Sequence, residues 1–572
     1  MKNQQPVPSE IPKRKFWGWG LADQVVSAEE QKMLGGSIAA RYPDLSLKAV
    51  PPPQVSDFEL RAPRVAVPPT LAHLITDDTE ERLIHAYGKS FADCARMLMR
   101  HVPNPPDLVA YPRTEEDVTA LLDWADTNNV AVIPFGGGSS VCGGVEADVG
   151  DSYDAVLVVD MAAMNRILEI DKTSRAARFQ AGIYGPQLEA GLKPHGLTLR
   201  HFPQSFEYST LGGWIATRGG GHYASLYTHI DDFVEATRTV TPKGLLETRR
   251  LPGSGAGPSA DRMIIGSEGI LGIITEAWMR LQDRPTFRAS AAVSFATMAQ
   301  GAQAVRALSQ SGLFPTNCRL IDAAEAQNSG AGDGSAALMV LGFESADHPL
   351  GPWMERALEH ASDHGGQYDA EAVKRSMAPP KPASDESEHN SEHRQGAAGQ
   401  WRNAFIRAPF YREVLVGLGI IVDTFETAIT WDRFDEFYNG VTNQMEDAIQ
   451  RITGHEGRVT CRFTHIYPDG PAPYFTFQVP GAEEGNLALM LERWREIKIA
   501  ANAVVTNLGG TVTHHHSVGR DHRPGYEAQT SDVFRAALGA AKHELDPSGL
   551  LNPGVLIDPV GRKVGQTGIL RP

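Results

Sequence analysis

At 572 residues the chain exceeds what one ordinary core organises, so two or more domains are expected. Hydrophobic residues at 42% and charged residues at 21% give an ordinary globular balance and exclude a fibrous or wholly disordered chain. A formal net charge of −16 argues against a nucleic-acid partner, because phosphate-backbone binding needs a basic face.

The first 20 residues, MKNQQPVPSEIPKRKFWGWG, contain no apolar core of a signal sequence. No later run reaches the roughly 18–20 apolar residues that a membrane-spanning helix needs, so the chain reads as cytoplasmic and at most membrane-peripheral. Lys13, Arg14 and Lys15 ahead of Phe16, Trp17 and Trp19 suit either an anionic membrane surface or packing on the protein's own body, and packing is the expectation. The four cysteines, Cys94, Cys142, Cys318 and Cys461, form no CxxC pair, which fits a reducing compartment and indicates neither a disulfide framework nor a zinc site.

Residues 1–102 read as a proline-rich and then helical N-terminal region that ends at HVPNPPDLVAYP. A second unit, 103–284, opens with a helix over TEEDVTALLDWADTNN, capped at Thr114 and apolar at Val118, Leu121, Leu122 and Ala125. A buried strand VAVIPF follows, then strands at AVLVVDM and RAARFQAG and a helix at GPQLEAGLKPH. A hairpin over EATRTVTPKGLLETRRL turns at Thr241–Gly244. From ASAAVSF strand and helix alternate again to about residue 510. The last element there is a long helix over LALMLERWREIKIAANAVVTNLGG, stopped by Gly509 and Gly510. The fold class is α+β, with a second α+β unit at 285–510 and a C-terminal segment at 511–572. Residues 377–399 are poor in apolar side chains and read as a mobile surface loop, whose His389 and His393 suit a solvated tract better than a metal site.

Three glycine-bearing loops carry the chemistry. PFGGGSSVCGG, Pro134–Gly144, leaves a strand directly. Its glycines admit either a nest of amides for a pyrophosphate or a plain flexible turn. It lacks the GxGxxG pattern and no helix opens after it, so a Rossmann site is excluded on context. PQSFEYSTLGGWIATRGGGH adds donors at Ser205, Ser209 and Thr210 and close backbone approach at Gly212 and Gly213, and GSEGILGII is the third loop. Asn552 in LDPSGLLNPGVL lies in a turn where its amide can bond a heterocycle edge or its own backbone.

THHHSVGRDH presents three consecutive histidines. An extended chain puts His514 and His516 on one face and His515 on the other, so one metal reaches all three only if the chain distorts, and no Asp or Glu stands at ligand spacing. Metal binding, a structural corner and proton handling are the three readings. Imidazole titrates near neutral pH, which favours the last, and no metal is expected.

In this order the loops resemble the flavin-binding scaffold of the vanillyl-alcohol oxidase and p-cresol methylhydroxylase (PCMH) superfamily. The resemblance sharpens to the alkyldihydroxyacetonephosphate synthase family through FWGWG, STLGGWIATR, CRLID, DTFETAITWDR, APYFTF, THHHSVGR and LDPSGLLNP. Residues of about 325–400, the GGGH at 219–222 and the Asp521-His522 pair depart from that family's pattern. The resemblance implies a PCMH-type FAD-binding domain over 103–284, a cap domain for substrate over 285–510, and non-covalent FAD. It places cofactor contacts on Pro134, Phe135, Gly136, Gly137, Gly138, Ser139 and Ser140, and on Gln204, Ser205, Phe206, Glu207, Tyr208, Ser209 and Thr210. Further contacts fall on Thr217, Arg218, Gly219 and Gly220, on Glu268, Gly269, Ile270, Leu271, Gly272, Ile273 and Ile274, and on Asn552. It makes Tyr474, His514, His515 and His516 catalytic, gives Arg412 to the substrate phosphate, and puts Arg319 near the flavin. The implied activity, in a homodimer, exchanges the acyl chain of acyl-dihydroxyacetone phosphate for a long-chain alcohol without net redox change. The rival is an FAD-dependent oxidase or dehydrogenase of a 2-hydroxy acid or alcohol, since the glycine loops and LDPSGLLNPG occur in that branch as well.

Overall fold

The computed structural model describes residues 11–378, 396–483, 485–562 and 564. Residues 379–395 of the expected loop, including His389 and His393, lie outside the described residues, and 396–399 already belong to the helix Gly396–Gly417.

The first sheet aligns Leu108–Ala110, Ala155–Asp160 and Val130–Phe135 in parallel, with Ile75–Thr76 antiparallel at one edge. Its two long strands are almost wholly apolar and buried, as parallel strands covered on both faces are, with Asp160 the charged residue at the end of one. The crossover helix Glu115–Thr127 starts at a capping box between Thr114 and Asp117 and buries Val118, Leu121, Leu122 and Ala125, the face its periodicity predicts. The C-terminal segment returns to this sheet, where Val132 N–H donates to the Leu550 carbonyl and Asn552 N–H to the Val132 carbonyl, both at 2.8 Å. Residues more than 400 apart in the chain thus share the strand that delivers the triple-glycine loop.

A five-stranded antiparallel sheet follows, ordered Ile167–Asp171, Ala176–Gln180, Ile273–Arg280, Val234–Thr241, Gly244–Glu247, and it contains the expected hairpin. The second unit is built on a seven-stranded antiparallel sheet. Its order is Gln367–Tyr368, Phe287–Phe295, Ala337–Ser345, Asn317–Ile321, Arg458–Ile466, Pro471–Pro480, Ile420–Glu426. Side chains alternate across it. Phe463, Phe475 and Phe477 pack in the same core as Phe434 and Phe437 of the helix Phe434–Thr453, whereas Tyr474 and Thr476 occupy the opposite face.

The basic and aromatic N-terminal segment packs on the body: Arg14, Lys15 and Trp19 are all buried. All four cysteines are buried free thiols. Among the described residues no helix is long and apolar enough to cross a membrane.

Candidate active site

The strand Val130–Phe135 runs directly into Gly136–Ser140, where Gly138 takes φ +70°. The amides of Gly137, Gly138, Ser139 and Ser140 donate to no backbone oxygen among the described residues. The neighbouring loop presses against them. A Cβ on Gly137 would lie 1.8 Å from the Tyr208 carbonyl oxygen and one on Gly136 2.4 Å from Thr210 Oγ1, so only glycine permits this approach. Thr210 caps the helix Leu211–Thr217, and Ser209 Oγ accepts from Trp214 Nε1 at 2.7 Å while donating to the Ser205 carbonyl at 2.7 Å. A run of unpaired amides flanked by hydroxyls matches the oxygens of a diphosphate, so these residues fit FAD.

The third loop closes the cradle. Gly269, at φ +78°, would place a Cβ 2.9 Å from the Pro134 ring. Glu268 accepts from the amides of Val518 and Gly519, each at 2.8 Å, and so ties this loop to the histidine loop; burial lifts its carboxyl to about 7. Asn552 donates to the carbonyls of Gly144 at 3.1 Å and Glu268 at 2.7 Å, leaving Oδ1 buried with no partner among the described residues. Its amide therefore clasps two loops and keeps one acceptor free. The side chains of Ile270, Leu271 and Ile273 belong to the apolar core, as do those of Phe135 and Ile274. Gln204 donates to the Phe405 carbonyl, Glu207 accepts from Tyr208 Oη, Thr217 Oγ1 donates to the Gly213 carbonyl, and Arg218 pairs with Asp231. Phe206 stacks on Trp214 and fills the space that a Cβ on Gly185 would need.

Cross-strand register assembles the other half. Tyr474 stands opposite Glu426 on one side and Arg462 on the other, and directly opposed residues of antiparallel strands share a face. Tyr474 Oη donates to Thr424 Oγ1 at 3.0 Å, with the Arg462 guanidinium 3.9 Å from its ring centre. Burial raises the phenol, with Arg462 and Thr424 opposing, so Tyr474 is neutral at neutral pH. Glu426 accepts from the amides of His514, His515 (3.2 Å) and His516 (2.9 Å), and from Thr513 Oγ1 at 2.5 Å. Burial opposes its charge, yet the adjacent histidines and Thr513 hold it well below the usual carboxylate range. Burial also pushes His515 to about 3 and His516 to about 4, leaving neutral imidazoles 3.6 and 3.7 Å from that carboxylate.

No Asp or Glu stands at ligand spacing from the histidines in the sequence, but the fold brings Glu426 to them from a strand nearly 90 residues away. It also adds His229, His465 and Tyr467. Tyr467 Oη lies 2.7 Å from His514 Nε2, His514 Nδ1 lies 3.1 Å from His515 Nδ1, and His229 Nε2 reaches the His514 carbonyl at 3.1 Å. His465, His514 and His515 each bring a nitrogen within 4.8 Å of the others, so the third imidazole of this trio comes from another strand and not from His516. Ring nitrogens of the trio also make hydrogen-bond contacts: His514 with His515 and Tyr467, and His465 Nε2 with the Gly221 carbonyl.

Of the two predicted arginines, Arg319 acts electrostatically on His465 and His515, whereas Arg412 acts on Asp423. Arg412 Nη2 donates to the Lys89 carbonyl, and its buried Nε has no hydrogen-bond partner among the described residues. Arg319 is buried beneath Trp401 and Phe405, with Arg462 nearby; burial first, then Arg462, lowers it to about 10.

Residues 106–249 match the FAD binding domain family and residues 284–556 the C-terminal domain of FAD linked oxidases. Over 570 residues the chain is 30% identical to the alkyldihydroxyacetonephosphate synthase of Dictyostelium discoideum, covering 96% of this chain and 89% of that protein. The chain belongs to the alkyldihydroxyacetonephosphate synthase family. Its cofactor is FAD, and the expected α+β architecture of a PCMH-type FAD-binding domain with a second domain stands. A solved alkyldihydroxyacetonephosphate synthase shares the fold with a TM-score of 0.76 at 24% identity, over 96% of this chain and 99% of that one. The glycolate oxidase subunit GlcD of Bacillus subtilis is 26% identical, covering 86% of this chain and 99% of that protein, and so matches less well than the synthase.

Proposed function

We propose that the chain is an FAD-dependent alkyldihydroxyacetonephosphate synthase that replaces the acyl chain of acyl-dihydroxyacetone phosphate with a long-chain alcohol. The observation that carries this reading is the seam at Gly220. A Cβ there would lie 3.0 Å from His515 Cβ and 3.1 Å from His465 Cε1, so the main chain of the loop assigned to the cofactor abuts the imidazole cluster. The Tyr474 ring stacks 5.9 Å from that of His515.

FAD, when bound, supplies an electrophilic ring system that ends each turnover as oxidised as it began. The protein supplies protons and position. Neutral His516 accepts the proton from the substrate carbon bearing the ester, and ionised Glu426 stabilises the imidazolium as it forms. Tyr474, a neutral phenol, holds and returns a proton at Oη, and His514 and His515 shape the site and share charge with Tyr467. The Nε of Arg412, unpaired among the described residues, is a donor for the substrate phosphate, suited by the guanidinium's fixed charge and planar geometry. Arg319, a buried cation near the cluster, supports an anion or the flavin edge.

The homodimer, the cytoplasmic setting and a peripheral membrane contact belong to this proposal, the contact being supported by the insolubility of a long-chain alcohol. The buried Arg14, Lys15 and Trp19 do not supply it. An anaerobic flavin spectrum separates the synthase from an oxidase. The synthase keeps an oxidised spectrum at the end of turnover with acyl-dihydroxyacetone phosphate and alcohol. Lasting bleaching by a 2-hydroxy acid, with keto product, would establish the oxidase.

A further inference from the structure

The N-terminal strap, residues 13–22, touches both halves of the site described above. It folds back on itself through Lys15 N–H to the Gly20 carbonyl at 3.0 Å and Ala22 N–H to the Lys13 carbonyl at 2.9 Å. At one end, buried Arg14 pairs with fully buried Asp160, donates to the Gly136 carbonyl at 2.9 Å and reaches Tyr184 Oη at 3.2 Å. The Gly136 carbonyl is in the triple-glycine loop, so the guanidinium fixes the peptide that opens the amide nest. At the other end, Lys15 Nζ pairs with Glu413 at 2.9 Å, and the Trp19 amide donates to the same carboxylate. Glu413 adjoins Arg412. Gly18 and Gly20 allow this contact, since a Cβ on the first would strike the Glu413 carboxylate at 2.5 Å and one on the second the Phe410 ring at 2.8 Å.

Lys89 joins the two ends. Its N–H donates to the Ser140 carbonyl at 2.6 Å, its carbonyl accepts from Arg412, and its Nζ donates to the Lys15 carbonyl at 2.9 Å. The buried Arg14 guanidinium, held by Asp160, the Gly136 carbonyl, Tyr184 Oη and His85 Nε2, does not drift, so its strap contacts transmit position.

We infer that Arg14 and Lys15 are positioning residues, Arg14 holding the triple-glycine loop in its FAD-binding form and Lys15 holding Arg412 toward the substrate phosphate. The inference rests on the functional reading above. Neither residue touches substrate; each acts through the group it orients.

The test uses the full chain, with FAD affinity from flavin fluorescence and KM for acyl-dihydroxyacetone phosphate measured at saturating FAD. Arg14→Lys keeps a charge facing Asp160 but cannot reach Asp160, Gly136 and Tyr184 together. It is expected to weaken the FAD Kd about 5-fold or more, with KM within about 2-fold, as the loss of one or two charge-assisted hydrogen bonds implies. The pair Lys15→Met with Glu413→Gln removes both charges and is expected to raise KM about 5-fold or more with the FAD Kd nearly unchanged. Gly18→Ala, which displaces the Glu413 carboxylate, should reproduce that KM shift if the double variant folds poorly. Lys13→Ala, on the exposed side of the strap against Glu80, should change neither constant. An unchanged Kd in Arg14→Lys overturns the inference, and so do variants in which Kd and KM move together in step with lost thermal stability. Wild-type protein that binds no FAD removes the functional reading as well; wild-type binding with unaltered variants removes only this inference.

Discussion

Glu426 is the residue on which the imidazole loop is built. Its two oxygens accept from three consecutive amides and from Thr513, so the carboxylate sets the path of residues 513–516 as well as the charge beside them. Glu426→Gln puts an amide donor against those N–H groups and removes the counter-charge for His516. Equilibrium urea unfolding should show a loss of about 2 kcal/mol, the scale of an unsatisfied buried donor set. The kcat should fall about 100-fold or more, as for a lost electrostatic partner in a proton-transfer site. Unchanged kcat would mean that the imidazoles need no carboxylate.

Among the elements, the glycine loops were legible in the sequence because glycine acts locally: three in a row after an apolar strand admit an amide nest or a flexible turn, and the tight packing at Gly136 and Gly137 favours the first. The strands and helices of both units were legible for the same reason, since their periodicity and caps lie within the element, as at Thr114. The partners of the histidines were not legible. Glu426, His465, Tyr467 and His229 come from a sheet and a loop whose register no local pattern encodes, and the one signal was a histidine ending the apolar strand at FTHIY. The segment around FWGWG packs on the body as its composition predicts, but its partners were not legible: Arg14 and Lys15 are buried against Asp160 and Glu413, which lie far along the chain. For the element that was legible the prediction is direct. Gly137→Ala forces a methyl into the Tyr208 carbonyl at 1.8 Å, so the protein should purify without the flavin band near 450 nm. A yellow Gly137→Ala protein would show that the loop relaxes freely.

At the scale of the whole molecule, the buried imidazoles make stability depend on pH. Burial lowers His201 and His515 to about 3 and His516 to about 4, and depresses His222, His465, His514 and His522 as well. Below about pH 6.5 the unfolded chain takes up protons that the folded one refuses, so stability is full above that value and is lost as pH falls toward 4. Glu268 and Asp521, raised to about 7 by burial, and Asp322, raised to about 6, act the other way over part of this window, but they are outnumbered. The Tm at saturating FAD should therefore drop steadily from pH 7 to pH 5, with a shallower slope in His515→Gln. A Tm that is flat or rises over that interval would contradict neutral, buried histidines.

Two domains, each of ordinary α+β construction, meet where Gly220 touches His515, and the proposed exchange of acyl for alkyl chain depends on that contact. The most direct measurement is incubation of the purified, FAD-loaded chain with acyl-dihydroxyacetone phosphate and isotopically labelled hexadecanol, followed by mass analysis of the products. The account predicts labelled alkyl-dihydroxyacetone phosphate and free fatty acid in equal amounts; release of fatty acid with no label in the ketone phosphate, or no reaction at all, would contradict it.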